Sequence, residues 1–157
     1  MEHILQVQII DNDRGGHKDL IFSIVGLVDK LEFDTYHFAI EIEPYENFQD
    51  IRNALATLLT YWLTETQNAK EGLPVYLPID FSDQYTGCLK VLKQGDKLLL
   101  NYGFSNREGY SVNPLDPGNY CNIITDFEDT VDKTIEVFKA DFINSIKLQV
   151  DKLKNAS

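Results

Sequence analysis

The sequence predicts an α+β domain in which two long amphipathic helices pack on a mainly antiparallel sheet of about six or seven strands. Three observations lead to this prediction. Apolar and polar residues alternate in several short segments, which is typical of strands. Apolar residues recur every three or four positions in two long segments, which is typical of helices. Gly, Pro, Asn and Asp cluster between these segments, as they do in turns. We expect a single α+β domain over residues 1–157, because the chain contains no internal repeat or low-complexity linker.

Two strands are predicted in the first part of the chain. Residues 4–10 alternate between apolar and polar side chains, which predicts a strand with one buried face. Residues 11–16 are Asp, Asn, Arg and Gly, a composition that predicts a turn. Residues 20–28 are almost wholly apolar, which indicates a central strand covered on both faces. Residues 29–32 then make a polar connection.

The segment 34–66 is expected to organise the rest of the fold, because it joins a strand to a long helix. Residues 35–43 alternate and predict a strand that Pro44 ends. The buried face of this strand would carry Tyr36, Phe38, Ile40 and Ile42. The helix begins near Asn47, whose side chain can cap it, and runs to Lys70. Its apolar stripe consists of Phe48, Ile51, Leu55, Leu58, Leu59 and Trp62.

A second β region follows this helix. Strands are predicted at residues 75–81, 87–93 and 97–104, with a hairpin turn over residues 93–96. Residues 103–123 are rich in Gly, Asn, Pro and Ser and have no regular pattern. A loop of this length either folds irregularly or carries a function.

The last predicted element is a long helix over residues 125–153. Thr125 and Glu128 stand at the spacing of a capping box, and acidic residues at the start and lysines at the end suit the helix dipole. The predicted apolar stripe consists of Phe127, Val131, Ile135, Phe138, Phe142, Ile146, Val150 and Leu153.

Charge and cysteine content restrict the classes of partner and the location. The chain has 14 Lys and Arg against 25 Asp and Glu, a formal net charge of −11. This charge argues against a nucleic-acid or anionic membrane partner, since both need a basic face, and it suits a basic protein. No apolar run approaches the roughly 18–20 residues of a spanning helix, and the first residues lack a signal-peptide pattern. Cys88 and Cys121 are too few for a disulfide framework, so we expect a cytoplasmic protein.

No motif in the sequence specifies a reaction. Asp11 and Asp13 stand like the opening of an EF-hand loop, but Phe22 occupies the twelfth position, where a carboxylate is required. The three histidines lack metal-ligand spacing, and nothing pairs Cys121 with a histidine, so a small buried thiol is the simpler interpretation. The nucleophile elbow of hydrolases, the phosphate-binding P-loop and the dinucleotide-binding glycine motif are absent. We expect no metal and no cofactor, and the sequence favours a protein without catalysis.

Two groups of residues are not explained by the predicted core. Between residues 29 and 50 there are seven acids and one base. Aromatic and arginine side chains, which dominate interface hot spots, gather beside the 103–123 loop. The partner-binding residues predicted from these two groups are Glu32, Asp34, Glu41, Glu43, Glu46, Tyr102, Arg107 and Tyr110.

The leading functional hypothesis is a non-catalytic module that binds a basic protein through this acidic and aromatic surface. In size, charge and lack of catalytic motifs, the chain resembles the immunity proteins of bacterial toxin systems. This resemblance, which is one of type and carries over no site residue, implies neutralisation of a basic, nuclease-like toxin.

Two other functions remain open from the sequence. One is a small-molecule binder or enzyme with a pocket under the 103–123 loop, where the candidate residues are Tyr102, Arg107, Tyr110 and Cys121. The other is an interaction or scaffold subunit whose apolar helix face is completed by a homodimer.

Overall fold

The residues that the structure describes form two antiparallel sheets and three α-helices. The computed structural model describes residues 3–118 and 124–155. The α+β class, the antiparallel pairing and the two long helices are confirmed. The strand count differs from the prediction, since the described residues form eight strands, three in one sheet and five in the other.

The smaller sheet is built from β1 (Leu5–Ile9), β2 (Leu20–Ile24) and β3 (Val28–Phe33), in that order. The prediction for β1 is confirmed, and β2 is central as expected. The segment 20–28 is nevertheless not one strand covered on both faces, because a tight turn at residues 25–27 divides it and the outer face of β2 is only partly buried. The polar connection predicted at 29–32 is also wrong. Those residues belong to β3, whose polar side chains face outward.

The strand predicted at residues 35–43 is wrong, because Tyr36–Glu41 form a short helix, α1. Asp19 accepts hydrogen bonds from the backbone N–H of Thr35 at 3.0 Å and from its hydroxyl at 2.6 Å, immediately before the helix begins. Tyr36 and Ile40, expected in the core, are 45% and 48% exposed. Phe38, at 1% exposure, is the buried residue that anchors this short helix in the core. The peptide bond between Glu43 and Pro44, just after α1, is cis.

The long helix α2 spans Phe48–Gln67 and ends three residues before the predicted limit. Its N-terminal cap is confirmed. The Asn47 side chain accepts from the backbone N–H groups of Gln49 and Asp50, while the Asp50 carboxylate accepts from the Asn47 N–H at 3.2 Å. Its apolar stripe is confirmed too, with Ile51, Leu55, Leu58, Leu59 and Trp62 buried and Phe48 partly buried.

The larger sheet contains β4 (Val75–Phe81), β5 (Thr86–Gln94) and β6 (Lys97–Ser105), which match the three predicted strands and their hairpin turn. Two short strands, β7 (Glu128–Asp129) and β8 (Ile135–Phe138), pair with successive parts of β6.

The segment between β7 and β8 is bonded to β6 by the Thr130 N–H, which donates to the Tyr102 carbonyl at 3.0 Å, and by the side chain of Asn101. Asn101 of β6 donates from its side chain to the Lys133 carbonyl at 3.1 Å and to the Thr134 hydroxyl at 2.6 Å. These bonds keep the short strands on the same edge of β6.

The last helix, α3, spans Lys139–Asn155, about half of the predicted range of 125–153. The capping box predicted at 125–128 is therefore wrong, because the segment pairs as strands with β6. Val131 and Phe138, predicted in the apolar stripe, are 41% and 51% exposed. The second half of the stripe is confirmed: Phe142, Ile146, Val150 and Leu153 are buried.

One continuous apolar core joins both sheets and the helices. Phe22 of β2 lies 6.1 Å from the Trp62 ring of α2 and 5.9 Å from the Tyr102 ring of β6, measured between centroids. No helix within the described ranges is both long enough and apolar enough to cross a lipid bilayer.

Two side chains of α3 cover the free edge of β1. The Ser145 hydroxyl accepts from the Leu5 N–H at 2.8 Å, and the Gln149 side-chain oxygen accepts from the Val7 N–H at 3.2 Å. Residues four apart on a helix lie on one face, so they replace the neighbouring strand that β1 lacks.

Candidate functional site

A groove of about 560 Å³ lies between the loop after β1, helix α1 and the beginning of α2. We call it the acidic groove and define it by Asp11, Asp13, Asp19, Tyr36, Ile40, Glu43 and Tyr45, which line it. Its lining contains four carboxylates and one cationic side chain, that of Arg14. The groove therefore has an excess of negative charge.

The loop that forms one wall is fixed by its own polar contacts. The Asn12 amide donates to the backbone carbonyls of His17 and Lys18, both at 2.9 Å, and its oxygen accepts from the Arg14 N–H at 3.0 Å. Gly16 has a φ of +90°, and a Cβ there would lie 3.1 Å from the Tyr36 Cα. Glycine thus lets the loop approach α1 closely enough to close the groove.

Three large side chains at the groove are exposed to solvent. Tyr36, Ile40 and Tyr45 are 45%, 48% and 41% exposed. Tyr36 stacks on the His17 ring, with centroids 5.3 Å apart and planes 13° from parallel. The His17 Nδ1 lies 3.1 Å from the Asp34 carboxylate, which orients the imidazole. The aromatic face of the groove is therefore held in a defined position.

The carboxylates in and near the groove affect the pKa of Tyr45. Its pKa is raised by burial and, in decreasing order, by the negative charges of Asp19, Asp11 and Asp50. Asp19 itself is 1% exposed and is fixed by its two hydrogen bonds to Thr35. Carboxylate oxygens and electron-rich ring faces are the groups that bind guanidinium and ammonium ions.

The predicted partner-binding acids divide among several places. Glu43 lines the groove. Glu41 and Glu46, which precede and follow Glu43 in the chain, are exposed. Asp34 pairs with His17, which supports the groove wall. Glu32 lies on the outer face of β3, where it lines a different depression with residues of β1 and β2.

Tyr102 and Arg107, two of the three residues predicted near the 103–123 loop, do not line the groove. Tyr102 is 5% exposed and packs between the sheets. Arg107 is exposed beyond β6, where its backbone carbonyl accepts from the Thr86 hydroxyl at 2.6 Å. The backbone of Tyr110 lies in a 3-10 turn formed by Gly109–Ser111.

Six of the seven residues that define the groove are not among the predicted site residues. The sequence predicts a plain turn at Asp11 and Asp13 and the buried face of a strand at Tyr36 and Ile40. It assigns no role to Asp19 or Tyr45. No local pattern identifies them, because the loop after β1 and helix α1 meet only in the folded chain.

A second, smaller cavity of about 350 Å³ is lined by Tyr102 together with Asp80 and Tyr85. Arg107 does not line it. Cys121, the fourth residue expected in a pocket at this loop, lies outside the described residues, and Cys88 is buried within β5.

The described parts of the chain contain no group of three or more His, Cys, Asp or Glu side chains placed to hold a metal ion. The chain matches no protein-family model, and no curated protein or solved structure matches it. The acidic groove is thus interpreted from its own residues.

Proposed function

We propose that this protein is a non-catalytic binding module that holds a basic segment of a partner protein in the acidic groove. The observation that supports this proposal is the convergence of four carboxylates with three exposed large side chains, Tyr36, Ile40 and Tyr45, in one groove. Exposed tyrosines next to Asp11, Asp13 and Glu43, which form no ion pair with the described residues, are not required by the core.

The chemistry of the groove favours an arginine or lysine side chain. A carboxylate accepts charge-assisted hydrogen bonds from either cation, and a tyrosine ring adds a cation–π contact worth about 0.5–2 kcal/mol. Ile40 offers apolar surface for the methylene stem of the same side chain. A basic loop that presents two or three such side chains would fill the groove.

The formal net charge of −11 acts at longer range than the groove. A field of this sign attracts a basic partner and raises its association rate. We propose that the partner is a basic protein of the nuclease-like toxin type, neutralised when its basic surface is covered, as the resemblance to immunity proteins implies. Glu41 and Glu46 extend the acidic surface beyond the groove.

The test is capture of partners from the source lysate by the immobilised protein at about 50 and 500 mM NaCl. We expect a basic protein that is retained at low salt and released at high salt, because screening weakens exposed charge pairs. The Asp13→Lys/Glu43→Lys variant should bind the captured protein at least about tenfold more weakly.

The control is Asp96→Lys/Asp151→Lys, which makes the same change in net charge at two exposed positions away from the groove. It should lower the association rate without abolishing the complex. Equal loss in both double variants would mean that overall charge and not the groove determines binding. Capture of only acidic or neutral proteins would exclude a basic partner.

A further inference from the structure

The second cavity lies where the ends of four strands meet, outside the acidic groove. Leu31 and Phe33 of β3 form one side, and Tyr102 and Phe104 of β6 form another. Asp80, near the end of β4, and Tyr85, which precedes β5, contribute polar groups. We call it the Asp80 cavity. Its volume of about 350 Å³ is at the lower end of the range for small-molecule sites.

The sequence makes room for the carboxylate in two ways. The pairing of β4 with β5 shifts register between Pro78 and Asp80, which places Asp80 opposite Gly87. A Cβ on Gly87 would lie 2.8 Å from the Asp80 Cβ and 2.6 Å from the Tyr102 hydroxyl. Only glycine therefore allows Asp80 and Tyr102 to face the same space.

Asp80 is a charged group in a mainly apolar setting. Burial raises its pKa from 3.8 to about 6, the hydrogen bond from the Tyr85 hydroxyl opposes that rise, and the charge of Asp34 adds to it. The hydroxyl lies 3.1 Å from Oδ2. No Lys, Arg or His of the described ranges forms an ion pair with Asp80. At neutral pH the carboxylate is thus ionised without a cationic partner.

We propose that the Asp80 cavity binds a small organic cation, in which an ammonium group is carried on an apolar or aromatic body. The ammonium group would donate to the Asp80 carboxylate, and the body would replace water against Leu31, Phe33 and Phe104. The Tyr85 and Phe104 rings meet edge to face with centroids 5.9 Å apart, which leaves a ring face for cation–π contact.

This cavity is independent of the acidic groove, since none of the residues that define the groove lines it. Loss of binding in one site should leave the other unchanged. The groove variants described above are therefore controls for the cavity, and the cavity variants are controls for the groove.

The test compares two probes of nearly equal shape by isothermal titration calorimetry: 2-phenylethylamine, which is a cation, and 2-phenylethanol, which is neutral. The amine should bind at least about tenfold more tightly than the alcohol, because only it neutralises Asp80. Asp80→Asn should reduce the affinity for the amine to that for the alcohol. Asp83→Asn is the matched control, since Asp83 lies in the loop that follows β4, three residues after Asp80, and its side chain is 88% exposed.

The pH dependence gives a second measurement that needs no variant. The groups that face Asp80 are the hydroxyls of Tyr85 and Tyr102 and, at longer range, the carboxylate of Asp34. As pH falls through about 6, Asp80 takes up a proton and affinity for the amine should fall, while affinity for the alcohol stays constant. Equal affinities for the two probes, no binding of the amine at about 10 mM, or an unchanged amine affinity in Asp80→Asn would each overturn the proposal.

Discussion

At the scale of the residue, Asp80 shows how one buried carboxylate couples stability to pH. The folded protein holds this side chain among apolar groups, and the unfolded chain returns it to water. Folding therefore raises its pKa, from 3.8 to about 6. A proton is bound more tightly by the native state than by the unfolded state throughout that interval.

The first prediction is that Asp80→Asn stabilises the protein at neutral pH. Between pH 4 and 6 the native state binds more protons than the unfolded state, so stability falls as pH rises and the loss is complete above the folded pKa. The shift corresponds to at most about 3 kcal/mol. Urea denaturation should show Asp80→Asn gaining stability over the wild type at pH 7.5 but not at pH 3.5. If Asp80→Asn and the wild type differed in stability by the same amount at both pH values, the raised pKa of Asp80 would be contradicted. The control variant Asp83→Asn should have the stability of the wild type at both pH values.

Some single residues could be predicted from the sequence and others could not. Asn47 was identified as a helix cap because capping depends on neighbours within three positions. The sequence pattern predicts Tyr36 and Ile40 on a buried strand face, and they are instead exposed on a short helix. Alternation of apolar and polar residues over so few positions is compatible with a strand and with a short helix, because only Phe38 has to be buried. The contact that decides between them, Asp19 with Thr35, spans 16 residues.

At the scale of the element, the free edge of β1 depends on a helix that lies at the other end of the chain. The side chains of Ser145 and Gln149 accept hydrogen bonds from the N–H groups of Leu5 and Val7, respectively. Ser145 is 4% exposed, and Leu5 is completely buried. Water therefore cannot substitute easily for the hydroxyl.

The second prediction concerns this contact. Ser145→Ala removes the acceptor and leaves the Leu5 N–H buried without a partner, which should cost about 1–3 kcal/mol of stability. Hydrogen exchange should show faster exchange at the Leu5 amide in the variant. Asn144→Ala changes an exposed neighbour on the same helix and should have little effect. Equal stability losses in the two variants would mean that helix propensity and not the edge contact is responsible.

The elements that were misassigned depend on pairing between distant segments. Residues 125–138 have apolar positions at three- and four-residue spacing, and the same residues supply β7 and β8 when they pair with β6. Local pattern supports either structure. These residues form strands and not a helix because they pair with the edge of β6, which they cover. Elements that lie within one hairpin, such as β5 and β6, were predicted nearly to the residue.

At the scale of the whole molecule, the net charge of −11 opposes the compact state. Folding brings 25 acidic side chains closer together, and only 14 Lys and Arg offset them. The ion pairs with lysine in the described part of the chain are exposed or half-exposed, so they contribute little to stability.

The third prediction is that salt stabilises the protein. Raising NaCl from about 20 to 300 mM shortens the Debye length from roughly 20 to 6 Å and should raise the melting temperature by screening this repulsion. Differential scanning calorimetry is the measurement, with glycerol at matched viscosity as the control. A melting temperature that falls with salt would mean that attractive pairs outweigh the repulsion.

The acidic groove shows why a site is harder to predict than a fold class. Asp11, Tyr36 and Glu43 come from a loop, a helix and the segment that follows this helix, and they meet because the loop between β1 and β2 packs against α1. The excess of acidic residues between positions 29 and 50 is visible in the sequence, and it predicts Glu43 as a binding residue. The other six residues that define the groove could be found only with the topology.

The division of the outer strand into β7 and β8 has a consequence for how these molecules behave at high concentration. A sheet grows by adding a strand of another molecule to an uninterrupted edge, and stacking of this kind takes segments of about six or seven residues. Here the outer strand offers runs of two and four residues, separated by a bend that Asn101 holds in place. The protein is thereby protected from growing into fibrils through this edge.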